Sequence, residues 1–306
     1  MFKKISKGST IGVLSPAYIP MKERVVNGVR YLEEMGYKVK LSNNINQKYG
    51  YFAGTDKERV DDIHQLFADN EISALLAARG GWGTLRFLDK LDFDLIKNNP
   101  KPFIGYSDIT TLQLAIWTKT GMGSISGPMC AVEMGKGIHE FTEKHFWNYL
   151  NNNESDYNIN LTETKSKILC EGIAKGILLG GCLSLVSFIM GTPYCPDFNN
   201  AILFLEDVGE KPYKIDRYFA HLKQTGVFDK ISGLILGDFL DCEDEDDESA
   251  FSIQSIIEEY FSDASYPVIQ NFPYGHGDVK ISMPIGANAI LDTKKQKLVF
   301  ENLFDK

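Results

Sequence analysis

Ile72-Ser-Ala-Leu-Leu-Ala-Ala-Arg-Gly-Gly-Trp-Gly-Thr84, followed by Phe103-Ile-Gly-Tyr-Ser-Asp-Ile-Thr110, is the stretch that decides the fold class. Ile72 to Ala78 is a run of strand length, apolar except at Ser73, that breaks at glycines, as a strand buried on both faces does. Thr84 to Leu91 then reads as helical, Phe103 to Tyr106 as a further strand and Ile109 to Thr118 as a further helix. Working outward to the amino terminus, the alternation holds. Thr10 to Leu14 is a strand, and Val25, Val26, Val29 and Leu32 mark one face of a helix that Gly36 can close. Tyr37 to Leu41 is the next strand, and Thr55 with Glu58 makes a capping-box pattern ahead of Val60, Ile63 and Phe67. Strands alternating with helices predict an α/β fold: an N-terminal, doubly wound, mostly parallel sheet over residues 1–150. In such sheets ligands sit beyond the carboxyl ends of strands.

Working outward in the other direction, Asn151 to Lys165 is polar, opens on three consecutive asparagines and shows no period. It reads as a linker, over 151–170 in all. Ile173 to Leu178, Ala201 to Leu205, Ile231 to Leu236 and Pro267 to Asn271 look like strands, and Asn288 to Glu301 like a hairpin turning at Thr293 to Gln296. Helices are expected at Pro212 to Gln224 and Ala250 to Tyr260. Residues 171–306 therefore predict a second, β-rich C-terminal domain. The acidic run Cys242 to Glu248 follows a strand and reads as a solvated loop, with a calcium site as the alternative, against which the central glycine of EF-hand spacing is absent.

Composition narrows the function classes. Hydrophobic residues at 43% and charged residues at 24% match a globular chain, which excludes disordered, collagenous and coiled-coil proteins. The net charge is −9 with no basic stripe, so the footprint of a nucleic-acid binder is missing. Five scattered cysteines without a C-x-x-C pair argue against a disulfide framework and a zinc ribbon. The apolar stretch Ile11 to Leu14 is too short for a signal peptide, and nothing approaches the roughly 20 residues of a membrane span. A reduced, cytoplasmic protein without membrane, metal or cofactor is the expectation.

Four loops carry residue types suited to chemistry. In Gly105-Tyr-Ser107-Asp-Ile109 a serine sits on a strand-to-helix turn, with its hydroxyl at the helix's positive end and the Asp108 amide placed to receive an oxyanion. Taken alone, Ser107 reads more simply as the N-cap of that helix. The loop Arg79-Gly-Gly-Trp-Gly83 allows close backbone approach, and Gly81 is a candidate second oxyanion donor. It is a poor nucleotide site, because its spacing is G-G-x-G and a P-loop lysine is lacking. In Phe204-Leu-Glu-Asp-Val-Gly-Glu210 strand alternation lets only one of Glu206 and Asp207 face a given site. In Asn271-Phe-Pro-Tyr-Gly-His-Gly-Asp278 a histidine stands between two glycines, where nothing packs it into a core. Serine, carboxylate and histidine, in the order Ser107, Glu206, His276, are the three groups that nucleophilic acyl transfer needs. A non-catalytic two-domain binding protein for small molecules is the alternative of another class.

The chain resembles the LD-carboxypeptidase family of serine peptidases, whose best-known members are muramoyl-tetrapeptide carboxypeptidases. The resemblance runs through GSTIGVLSPA, ARGGWG, FIGYSDIT with SGPM, GILLGGCLS, LFLEDVGEKPYKIDR, and GHG followed by MPIGANA, in that order. It implies Ser107 as nucleophile, Glu206 as acid and His276 as base, in a cytoplasmic homodimer without metal or cofactor. It further implies an exopeptidase that removes terminal D-alanine from the L-centre of the diamino acid in murein tetrapeptide, during cell-wall recycling. A related branch hydrolyses microcin-C-type peptidyl nucleotides for self-immunity, and needs an aromatic platform for adenine. Trp82 stands where the family more often has tyrosine. Arg79 and Lys214 are candidates, by charge alone, for holding the substrate's carboxylates.

Overall fold

A computed structural model describes residues 1–152, 154–244 and 250–305. The first part alternates as the apolar periods require: β1 (Thr10–Leu14), α1 (Lys22–Glu34), β2 (Lys38–Leu41), α2 (Asp56–Ala68) and β3 (Ile72–Ala77). The chain continues through α3 (Phe93–Asn98), β4 (Phe103–Ile104), α4 (Ile109–Thr120), β5 (Ser124–Ser126) and α5 (Glu140–Leu150). Thr55 and Glu58 form the full capping box of α2. Thr84–Lys90, expected as a helix, is a 3-10 helix. Strands β2, β1, β3, β4 and β5 lie side by side in parallel register.

The second part opens with β6 (Asp156–Asn160) and β7 (Lys167–Cys170), then β8 (Ile173–Cys182), α6 (Leu183–Ile189), β9 (Ile202–Val208) and α7 (Pro212–Gln224). It ends with β10 (Gly233–Leu240), α8 (Ile253–Phe261), β11 (Val268–Gln270), β12 (Met283–Ile285), β13 (Asn288–Asp292) and β14 (Lys297–Glu301). Its eight-stranded sheet runs β6-β14-β13-β8-β9-β10-β11-β7. Four neighbouring strands, β8 to β11, are parallel, with α6, α7 and α8 as crossovers. The second half is therefore more regular than its sequence pattern suggests. Its central strands β9 and β10 open on apolar runs, Ile202 to Leu205 and Leu234 to Leu236, as strands covered on both faces do.

Three expectations are corrected. The segment 151–170 is not a bare linker: it supplies β6 and β7, the two opposite edge strands of the second sheet. Tyr157 and Ile159 give β6 its one apolar side inside a polar run, as an edge strand with one wet face requires. β12 leaves the second half altogether and pairs antiparallel with β5, extending the first sheet. The acidic run is only partly a solvated loop. Glu243 accepts the Ile253 N–H at the start of α8, and Asp244 pairs with Lys211 at 2.7 Å. Its portion Glu245 to Glu248 lies outside the described residues. One contiguous apolar core runs through both halves.

Candidate active site

The turn after β4 is the sharpest point of the site. Ser107 sits at φ +64°, a left-handed conformation that costs a non-glycine residue on the order of 1–3 kcal/mol. The N-cap position of α4 is Asp108 and no side chain caps the helix, so the Ser107 hydroxyl is not spent on capping. The loop after β3 crosses directly over this turn. A Cβ placed on Gly80 would lie 2.7 Å from Ser107 Cβ and 2.9 Å from its Oγ, so only glycine fits there. Asp108 ties the two loops together. Its buried carboxylate accepts the Thr84 N–H at 2.9 Å, and its carbonyl accepts the Thr84 hydroxyl at 2.7 Å. Burial raises the Asp108 carboxyl above its ordinary value, and hydrogen bonds from Thr84 oppose the rise.

β9 ends in Glu206 and Asp207, and alternation separates them. Glu206 is fully buried, and its Oε2 accepts a hydrogen bond from His276 Nδ1 at 2.7 Å. A proton held on Nδ1 leaves the lone pair of the neutral ring on Nε2. Asp207 faces the other way, accepting the Ser184 N–H at 2.8 Å in the first turn of α6 and the Val208 N–H at 2.9 Å. Burial first, and then the neighbouring Glu206, push its carboxyl up to about 6. Asp238 on β10 is likewise pushed up to about 6, by burial and then by Glu206. It lines a cavity of about 570 Å³ with Lys165, Lys167 and Phe141.

The His276 loop is anchored on the first half of the chain. Tyr274 Oη and Ser126 Oγ share a hydrogen bond at 2.7 Å. Thr142 of α5 donates to the Asp278 carbonyl at 2.6 Å and accepts the Lys280 N–H at 2.9 Å. The His276 ring meets the ring of Tyr106, the residue before Ser107, edge-on at 5.0 Å and 70°. Glu206 at the end of β9 and His276 in the loop before β12 are thus brought together, and the His276 ring packs on the neighbour of Ser107 in the chain. Another link joins the halves where β8 meets α4: Cys182 N–H donates to Thr110 Oγ1 at 3.2 Å. A Cβ on the neighbouring Gly181 would lie 2.4 Å from that same oxygen.

The remaining candidates divide. Gly81, with an exposed backbone, and half-buried Trp82 lie on the loop that crosses the Ser107 turn. Arg79, at the start of that loop, stands 5.6 Å over the Tyr18 ring and 3.5 Å from the Ile19 carbonyl. Lys214 in the first turn of α7 pairs with Glu210, just before the helix, at 2.8 Å, so its charge is already partnered. Sequence reasoning missed Tyr106, Thr142, Asp238 and Lys280. Thr142, Asp238 and Lys280 are ordinary residues in their local patterns, and Tyr106, though next to Ser107, meets His276 only through packing distant in sequence. Among the described residues no group of three or more His, Cys, Asp or Glu is arranged to hold a metal ion.

Comparison with known proteins gives consistent matches. Residues 11–127 match the LD-carboxypeptidase N-terminal domain and residues 175–291 the LD-carboxypeptidase C-terminal domain. A probable murein peptide carboxypeptidase of Bacillus subtilis is 37% identical over 300 residues, covering 98% of this chain and 93% of that protein. The muramoyltetrapeptide carboxypeptidase of Oxalobacter formigenes superposes with a TM-score of 0.85 at 27% identity, over 95% of this chain and 98% of that one. The microcin C7 self-immunity protein MccF in complex with aspartyl sulfamoyl adenosine superposes at 0.92 and 26% identity, over 100% of this chain and 99% of that one.

Proposed function

Because the chain belongs to the LD-carboxypeptidase family, we propose that it is a serine carboxypeptidase that releases terminal D-alanine from the L-centre of the diamino acid in murein tetrapeptide. The observation that carries the reading is the Glu206–His276 pair packed against Tyr106, directly before the strained turn at Ser107. His276 Nε2 takes the proton of Ser107 as its Oγ attacks the diamino-acid carbonyl. Glu206 holds the ring and stabilises the imidazolium. The amides of Asp108 and Gly81 receive the oxyanion, neither being engaged by another backbone carbonyl among the described residues. Collapse of the tetrahedral intermediate breaks the C–N bond, His276 returns the proton to the D-alanine amine, and water hydrolyses the acyl-enzyme. Arg79 is the better candidate for a substrate carboxylate, since Lys214 is already paired, and Trp82 on the same loop is a candidate for contacting the substrate.

The test is incubation with murein tetrapeptide followed by mass analysis for loss of one alanine. The peptide ending in L-alanine, and the pentapeptide ending in D-Ala-D-Ala, are expected to be poor substrates, because a site built for one terminus leaves buried polar groups unpaired with another. Likeness to the self-immunity protein favours a second reading, hydrolysis of a peptidyl nucleotide. If aspartyl sulfamoyl adenosine exceeds tetrapeptide in kcat/KM by about tenfold, that reading replaces the first, since base stacking contributes roughly 1–3 kcal/mol. The family resemblance also carries a homodimer in the cytoplasm, open to light scattering and cell fractionation. No helix among the described residues is long and apolar enough to cross a membrane.

A further inference from the structure

A buried ionic group that the chemistry above does not use lies beside the His276 loop. Lys280 is 2% exposed and Glu133 8%. The Lys280 ammonium donates to Glu133 Oε1, which also accepts the Tyr106 hydroxyl at 2.8 Å. Glu133 Oε2 accepts the Met129 N–H at 2.9 Å. The same ammonium stands 4.0 Å from the centre of the Tyr106 ring, the ring that meets His276. The group therefore joins the residue before the nucleophile to the loop that carries the base.

An ion pair at this depth is weak as a stabiliser, because the cost of desolvating both charges offsets most of their attraction. Apolar side chains of similar volume would hold the fold as well. They would not aim a tyrosine ring, which the pair does through a hydrogen bond at the hydroxyl and a cation at the face. We propose that Lys280 and Glu133 are positioning residues for the reaction: acting through Tyr106, they hold the His276 ring in register with the turn that carries Ser107. The inference rests on the serine mechanism proposed above.

The test compares Lys280→Met, Glu133→Gln, the double variant and Tyr106→Phe with wild type, by Tm and by kcat and KM on murein tetrapeptide. Each single charge variant leaves a buried charge unpaired and should lose both Tm and kcat. The double variant removes both charges and should recover most of the Tm. Its kcat should stay about 100-fold below wild type with KM within about threefold, since misplaced reacting groups slow the chemical step without weakening binding. A double variant that regains wild-type kcat along with its Tm makes the pair a structural staple and overturns the proposal. Should the double variant fail to fold, Tyr106→Phe decides, because it keeps the ring and removes only its hydroxyl anchor. A drop in its kcat of about tenfold or more at unchanged Tm supports positioning, and wild-type kcat overturns it. A wild-type protein that does not release alanine overturns the carboxypeptidase reading and the inference with it. An active wild type with unaffected variants overturns the inference alone.

Discussion

Ser107 combines a left-handed backbone with a hydroxyl that caps nothing, and both features favour an exposed nucleophile over a helix cap. Ser107→Ala should keep the fold and lower kcat by roughly 10⁴–10⁶-fold, because a triad works as a unit. Retention of more than about a tenth of wild-type activity would remove serine from the mechanism. Gly80→Ala tests the loop above it. The added methyl would press on the Ser107 side chain, so kcat should fall while circular dichroism stays native. The two carboxylates of β9 should part company in the same way. Glu206→Gln should lower kcat on the order of 10³–10⁴-fold, by losing the anion that holds the ring, and Asp207→Asn much less. Asp207 instead controls stability through pH. Burial, and then Glu206, hold its carboxyl up at about 6 in the fold against an ordinary 3.8. Between those values the folded chain keeps a proton that the unfolded chain has lost, so its contribution to stability falls as pH rises and is lowest above about 6. The Tm of Asp207→Asn relative to wild type should therefore climb from about pH 4 to about pH 7, and a flat difference would contradict the burial argument.

At the scale of elements, α5 and the turn at Cys130–Met134 do the placing. They belong to the first half of the chain, yet Thr142 and Glu133 hold the loop that carries His276 from the second half. Thr142→Val removes a donor to Asp278 and an acceptor for Lys280 while keeping the shape of the side chain. Two lost hydrogen bonds cost about 1–3 kcal/mol together, so Tm should fall by several degrees. The amide of Lys280 should also exchange faster, and kcat should fall more than KM rises. Unchanged exchange at Lys280 would show that α5 is not what restrains the loop. Among the elements, α1, α2, α4, α7, α8 and the apolar strands were legible in the sequence, because their periods are local, whereas α3, α5 and α6 went unread. β5, β6, β7 and β12 were not, being short edge or near-edge segments whose pairing partners lie far along the chain.

For the whole molecule, β12 makes the two sheets one object. The chain finishes the second sheet only after returning to the first, and both share one core. Thermal unfolding of the full chain should therefore show a single cooperative transition. A fragment of residues 1–150 should unfold without one, because β5 loses its neighbour and the face under the His276 loop is left bare. Two separate calorimetric transitions in the full chain would argue that the halves are independent.

The sequence by itself determined the strand-to-helix alternation, the glycine loop after β3, and the three loops that bear serine, carboxylate and histidine. Each of these is written in residues adjacent to one another: an apolar run, a G-G-x-G, a histidine between glycines. It also limited Glu206 and Asp207 to opposite faces, through alternation alone. Which of the two meets His276 was decided by tertiary structure, where β9 lies between β8 and β10 and the returning loop passes over one face. The buried set of Lys280, Glu133 and Tyr106 was likewise invisible along the chain, since its members come from three separate segments. A local pattern records what a backbone can form next to itself. Side chains distant in sequence meet only when packing brings their segments together, and that is how His276 comes to lie against Glu206 and Tyr106.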